Sequence, residues 1–530
     1  MVDRIRISAL SFLTAGAVAG YYGFHLIYRG DSPAHIIFPG ALIAFALISL
    51  FRVLAGAGDM DGSAKGIGGG VLIAPPYGRF FRQWGLHIIV LSVGIALGIA
   101  VSGTMLRGSG RISLGIPRDN LIALQGTLLD DPRTLSSGTG MAYLDLEKSS
   151  GPGGLRASAK GKLLVFFPEH SIPAIKEFGR GSAVFVEGNF LPREEPLFRA
   201  SSVHVTRPAS ALEQFRTGLR LGLTKRFMQG AGGGSAGSQR GGNAVPQNPW
   251  GGMALALLLG IRDNLDSDLS RSYRDAGASH VLSLSGMHLA VISTLIAFVL
   301  KRPLGLKASS LAGALFIVLY VFLVGSQPSL DRSVIMYLLG VLAVFGALPR
   351  DPASLLSMAF LVQIIRQNDS GMALSFILSY LALWGILRPG NAIHELWRGK
   401  VPELVLQPLT ASLGAFIATA AVSVYFFGGL RPIGIAAGLL IVPLTTVFMI
   451  GAMIWLGLSF CLPVLTVPLG TGLSLLYRVL EALVSLAARA PGIDKPGFLP
   501  VLAVSLGLSA LVMYLGTRQR ARRSCLAPLP

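Results

Sequence analysis

The sequence predicts a polytopic α-helical membrane protein of about twelve spans, with a small all-β domain inserted outside the membrane. Three observations carry this. Of 530 residues, 52% are hydrophobic and only 13% charged, about half the charged share of an ordinary soluble domain. Apolar runs near the ~20 residues needed to cross a bilayer recur along the chain. Between residues 107 and 208 that pattern gives way to short alternating runs. A soluble enzyme, a fibrous protein and a disordered chain are excluded. The charge balance is +19, from 45 Lys and Arg against 26 Asp and Glu, as expected in part from Lys and Arg collecting in cytoplasmic loops. Cys461 and Cys525 are too few and too far apart for a disulfide framework or a thiol metal site.

The N-terminal membrane region is residues 1–106. Its first span runs Ser8–Tyr28 behind Arg4 and Arg6. Ala15-x-Ala17 also fits a signal-peptidase site, but the apolar run continues well past it. Spans over His35–Leu54 and Trp84–Leu106 flank a loop with Arg52, Lys65, Arg79 and Arg82. That loop reads as cytoplasmic, which places the N-terminus inside and residue 107 onward outside.

Residues 107–208 contain runs such as Leu121–Leu128, Met141–Leu146, Lys162–Phe167 and Ala183–Gly188, separated by Gly, Pro, Asp and Ser. Five or six antiparallel strands of this kind suit a small barrel or sandwich, an OB-type barrel among them. Residues 107–226 carry 17 Lys and Arg against 11 Asp and Glu, which fits a solvated basic surface as well as an anion-binding face. Residues 209–250 hold an amphipathic helix (Ala211–Met228, with Leu212, Phe215, Leu219 and Leu223 at helical spacing) and the Gly/Ser-rich linker Gly230–Gly242. Such a helix lies flat among lipid headgroups.

Residues 251–279 are a polar helical lead-in, in which Asp268 and Arg271 can pair one turn apart. The main membrane domain is 280–517, with spans at Val281–Leu300, Ser309–Val324, Val334–Leu348, Ala353–Ile365, Met372–Leu387, Leu404–Phe427, Ile433–Leu456, Thr466–Ala488 and Leu499–Leu515. Some are short enough to be broken or re-entrant helices. Residues 518–530 form a basic tail, and the count leaves both termini inside.

Polar groups where a span begins are costly unless they find partners or face water. His280, Ser283, Ser285, Gly286 and His288 are such a group. Ser285 and His288 share a helix face, and a nucleophile pair is one reading. No local acid orients His288, however, so hydrogen bonding around a wet cavity fits better. Arg332, after Gln327-Pro328-Ser329, either presents a phosphate-binding fork toward a cavity, or anchors at the headgroups or pairs locally with Asp331. Arg478 and Glu481, three apart inside a span, read as an intramembrane ion pair. The sequence contains no His-Glu-x-x-His, no phosphate-binding Gly-x-x-x-x-Gly-Lys-Ser/Thr loop and no thiol cluster. No catalytic residue, metal site or cofactor is therefore assigned.

The stretch Gly260–Val291 resembles the ComEC family of competence proteins, the membrane channels for incoming DNA in natural transformation. The resemblance lies in Gly260-x-Arg262-Asp263, Tyr273-Arg274-x-Ala-Gly277 and Ser279-His280-x-Leu-Ser283-x-Ser285-Gly286-x-His288. Weaker pieces follow in the family's order: Pro328-Ser329-x-x-Arg332-x-x-x-Met336, Leu374-Ser375-Phe376 with Gly385, and the Tyr425–Pro443 region. The resemblance implies a channel passing single-stranded DNA across the bacterial cytoplasmic membrane, with the OB-like domain outside and no enzymatic activity of its own. Its path would be lined by His280, Ser283, Ser285, Gly286, His288 and Arg332. The barrel's stacking or phosphate groups would be Lys160, Lys162, Phe166, Phe167, Phe185 and Arg199. Implied partners are an extracytoplasmic DNA receptor, a cytoplasmic motor or single-strand-binding proteins, a separate nuclease and the lipid bilayer. Gly438 stands where the family has Asn, and the metallo-β-lactamase-like domain of many members is not present in this sequence. Two rival readings are a small-solute or ion transporter coupled through Arg478 and Glu481, and an intramembrane hydrolase built on Ser285 and His288.

Overall fold

In the computed structural model the described residues are 13–22, 91–102, 112–135, 138–191, 197–229, 248–284, 286–325, 327–346, 351–366 and 373–526. The expected span His35–Leu54, the linker Gly230–Gly242 and Ser285 lie outside them.

The β region is a closed ring. Its strands are β1 (Ser113–Leu114), β2 (Ala123–Leu128), β3 (Arg133–Thr134), β4 (Gly140–Ser150), β5 (Arg156–Lys160), β6 (Lys162–Phe167), β7 (Ala183–Phe190) and β8 (Leu197–Arg207). β4 pairs with β2 and β6, β2 with β7, β7 with β8, and β8 returns to β6 in parallel. Five strands thus close on themselves, and closure removes the exposed edges that an open sheet would present. β1, β3 and β5 add short pairings to the ring. The 7-residue helix Ile172–Phe178 bridges β6 and β7. Strict alternation decides the inside: Leu163, Val165 and Phe167 of β6 join Leu124, Leu144, Val184, Val186 and Phe198 in one core, while Lys162, Leu164 and Phe166 point outward.

Among the described residues, six helices are long and apolar enough to cross a membrane: Lys307–Val324, Leu374–Trp397, Glu403–Phe427, Ile433–Cys461, Pro463–Ala488 and Phe498–Gln519. The expectation of about twelve crossings is therefore not reproduced by these residues. Pro249–Leu259, Gly286–Ile296 and Pro352–Arg366 are apolar but short. The longest of the three has 15 residues, about 22 Å of helix against a hydrocarbon core of about 30 Å. The backbone between Gly286 and Val324 breaks at Gly305, which takes a left-handed φ of 74°. Pro389 lies in the wide turn Ile386–Gly390 that interrupts the helical run Leu374–Trp397, because a proline lacks the N–H that a regular α-helix needs there.

The first helices pack through glycines. Gly16 and Gly20 face Gly94 and Gly98, and a Cβ on any of the four would strike backbone of the opposite helix. Small residues four apart allow this close crossing. Tyr21 and Tyr22 then bury against Phe360, Phe376 and Tyr380, tying the N-terminal region to the main membrane domain.

Candidate functional site

Leu284 and Gly286, either side of Ser285 in the sequence, meet the helix Pro328–Phe345 at its first turns. The Ser329 hydroxyl donates to the Leu284 carbonyl at 3.0 Å. A Cβ on Gly286 would lie 2.6 Å from Ser333 Oγ and 3.3 Å from an Arg332 nitrogen, so glycine here lets the two elements touch. Arg332 is 8% exposed. Its Nε donates to Ser379 Oγ at 2.8 Å, a second nitrogen reaches Met336 Sδ at 3.8 Å, and its head sits 5.8 Å from the Tyr380 ring. Asp331 does not neutralise it. That carboxylate turns instead to Arg366, at 3.1 Å. Among the described residues no carboxylate forms a salt bridge with Arg332. A guanidinium held by a hydroxyl, a thioether and a ring keeps its planar fork suited to a phosphate or carboxylate.

The other expected path residues divide. His280 is exposed and its carbonyl accepts from the Ser283 hydroxyl at 2.8 Å. His288 is enclosed, at 0% exposure. Arg478 and Glu481 share the helix Thr466–Ala488, but no salt bridge joins them. The expected intramembrane ion pair is corrected accordingly: three residues on a helix bring two side chains to one face without requiring their charged ends to meet.

On the barrel, Lys160, Lys162 and Arg199 are exposed, and Phe166 and Phe185 are partly so. Phe166 and Arg199 are register partners across the parallel β6–β8 pair, with Met141 opposite Phe166 on β4. Phe167 is corrected: at 1% exposure it belongs to the barrel core and cannot stack on a ligand. Adjacent strand residues face opposite ways, so the parity of Leu163 and Val165 already assigns Phe167 inward. Tyr143, 46% exposed and opposite Leu164, extends the outer aromatic face and was not among the expected residues.

Two joints fix the barrel to the membrane domain. Asp263, in the Gly-x-Arg-Asp segment, accepts from Lys176 Nζ at 2.6 Å and from the Thr134 backbone N–H at 3.1 Å. In the second joint Arg216 donates to Asp131 at 2.5 and 3.0 Å and to the Phe322 carbonyl at 2.7 Å. Arg220 donates to the carbonyls of Leu323 and Val324 at 2.8 and 2.9 Å, satisfying acceptors that a helix C-terminus leaves open. Burial alone would raise the Asp131 pKa, but the Arg216 hydrogen bond and the Arg220 charge outweigh it and hold the carboxyl below its ordinary value. The helix Ala211–Gln229 therefore carries its arginine inward, with Arg216 only 1% exposed, and its apolar side chains Leu212, Phe215 and Leu219 outward at 63%, 69% and 43%.

Residues 257–518 match the Competence protein family. ComE operon protein 3 of Bacillus subtilis is 25% identical over 204 residues, which are 37% of this chain and 25% of that protein. An uncharacterized protein of Aquifex aeolicus is 24% identical over 259 residues, 48% of this chain and 60% of its own. Competence protein ComA of Neisseria gonorrhoeae is 32% identical over 97 residues, 16% and 14% respectively. The chain thus matches less than two thirds of the length of each of these relatives. No solved structure matches it.

Proposed function

The chain is a ComEC-type competence protein by its membrane domain, residues 257–518, and on that premise we propose that it is a channel for single-stranded DNA in the bacterial cytoplasmic membrane. The observation that carries this reading is Arg332. A buried cation with no carboxylate salt bridge among the described residues, packed against Gly286, is costly in an apolar region unless an anion uses it. A polyanion crossing hydrocarbon needs such groups along a wet path.

The barrel is read as OB-like and extracytoplasmic. The OB-like reading is supported by its closed five-strand ring, its single parallel pair and the helix between the third and fourth ring strands, and the external side by the Lys- and Arg-bearing loop that precedes it. Its outer face offers Phe166, Tyr143, Arg199 and Lys162 to bases and phosphates. The helix Ala211–Gln229 lies in the headgroup layer, because its exposed Leu212, Phe215 and Leu219 have no place in water as a continuous stripe. In this reading both termini are cytoplasmic and the main domain adds re-entrant or short helices to its full spans. An external receptor delivers the strand. Pulling comes from a cytoplasmic motor or from trapping by single-strand-binding proteins, a separate nuclease removes the other strand, and the chain itself is not an enzyme.

The test follows fluorescent duplex DNA through transformation in a deletion strain of the natural host. DNA that reaches the cell surface or periplasm and never enters the cytoplasm supports the channel. Normal entry, in a strain without a second copy, refutes it and moves the small-solute transporter reading first.

A further inference from the structure

The two halves of the molecule enclose a second cationic feature, away from Arg332. A cleft of about 350 Å³ opens between β3 of the barrel and the helix Ser267–Asp275. Thr134 and Leu135 line it from the barrel; Arg262, Ser270, Arg271 and Arg274 line it from the lead-in to the membrane domain. A volume of this size is typical of small ligand sites.

Its charges do not cancel. Asp263, the carboxylate in its wall, is occupied by Lys176 and the Thr134 backbone. Asp266 accepts from the Asp268 backbone N–H and caps its own helix. Arg271 meets Asp268 only at 3.6 Å with both side chains largely in solvent, a pairing that contributes little and exchanges easily. Arg274 forms no salt bridge among the described residues. Arg271 and Arg274 are three apart and so lie side by side on one helix face. Arg262 keeps part of its side chain exposed. The loss of water around its head, and then the nearby Arg133 charge, lower its pKa. That repulsion is relieved by an anion.

We infer that this arginine-lined cleft binds the phosphodiester backbone of a single nucleic-acid strand where it passes from the barrel to the membrane domain. This rests on the channel reading above. Guanidinium forks grip phosphate oxygens in pairs without reading the bases, as a channel for any sequence requires. A lipid headgroup fits less well, because the lining offers only Leu135 and Leu265 as a seat for acyl chains.

The experiment uses the full chain in lipid nanodiscs containing phosphatidylglycerol, with a labelled oligothymidylate. The variant R271Q/R274Q is compared with R271K/R274K, and Arg262 is left intact because it donates to the Leu282 carbonyl. Loss of two phosphate contacts lowers the slope of log affinity against log salt by about 1.4, at about 0.7 per contact for single strands. The lysine variant keeps the parent slope. In parallel, a photo-crosslinking residue replaces Ser270 in one otherwise native chain and Phe166 in another, so the result does not depend on the arginine variants folding. Crosslinking of the strand from position 270 together with the reduced slope is the expected result. Crosslinking from 166 alone with an unchanged slope overturns the cleft and leaves the channel reading standing. Labelling of lipid rather than the strand from 270 assigns the cleft to the membrane and overturns the inference. No salt-dependent binding and no crosslink at either position brings down both readings.

Discussion

Replacing Asp131 by Ala removes the carboxylate that holds Arg216 at 2.5 and 3.0 Å and Arg220 at 3.6 Å. Arg216 would keep the Phe322 carbonyl at 2.7 Å and Glu213 at 3.3 Å, but its 1% exposed side chain cannot turn to water. Removing one partner of a buried pair costs about 3–5 kcal/mol. Asp131 is 27% exposed and Glu213 stays in place, so solvent screening and the remaining partner bring the figure to about 2–3 kcal/mol. That corresponds to about 30- to 150-fold in the opening equilibrium. Hydrogen exchange on the full chain in nanodiscs reads it directly: amides of residues 211–229 should lose protection by that factor while the barrel core keeps its own. The parent should show the same opening in acid. Its depressed Asp131 pKa contributes stability that is present above the unfolded value of about 4 and lost as pH falls through the lower folded value, so nothing should change between pH 7 and 5. Protection within twofold of the parent in Asp131→Ala would refute the idea that this joint couples the two halves.

Three further outcomes are expected. Phe166→Ala should weaken single-strand binding by the ~1–3 kcal/mol of a stacked base, read by fluorescence anisotropy, whereas Phe167→Ala should cost about 3–5 kcal/mol of stability through a core cavity; equal effects of the two on binding would contradict the inward and outward assignment. Gly414→Ala should destabilise the membrane domain by about 1–3 kcal/mol, because the new Cβ would strike the Gly385 carbonyl and the Gly390 backbone; an unaltered melting profile in detergent would show that these helices stand farther apart. Arg332→Ala should cut DNA entry into the cytoplasm at least about tenfold with protein level and surface DNA unchanged, and Arg332→Lys should not restore it, since a point charge does not replace a fork; full activity of the lysine variant would mean that charge alone suffices.

Much of this was legible in the residues. A long apolar run has few outcomes other than a membrane or core helix, so Thr466–Ala488 is bounded as the sequence reading places it. Alternation with turn residues announces strands, and the starts of Lys162–Phe167 and Ala183–Phe190 agree. Local pattern also predicts a helix over 211–228. It cannot say which face turns inward. Hydrophobic spacing puts Leu212, Phe215 and Leu219 on one stripe suited to lipid headgroups, but it does not reveal that the fold buries Arg216. The reason is that Asp131 and the Phe322 carbonyl, 85 and 106 residues away in sequence, supply the acceptors that make burial of a guanidinium affordable.

The sequence by itself determined the membrane class, the position of the β insertion and the polar segment Gly260–His288, because each follows from composition, period or local spacing. Only the tertiary structure decided that Asp331 turns to Arg366 and leaves Arg332 to Ser379, that Phe167 closes the barrel while Phe166 faces out, that no salt bridge joins Arg478 and Glu481, and that Arg262, Arg271 and Arg274 line one cleft beside β3. Such pairings depend on where distant backbone segments come to lie, and a side chain chooses its partner only once chain closure has brought the competing groups within about 4 Å.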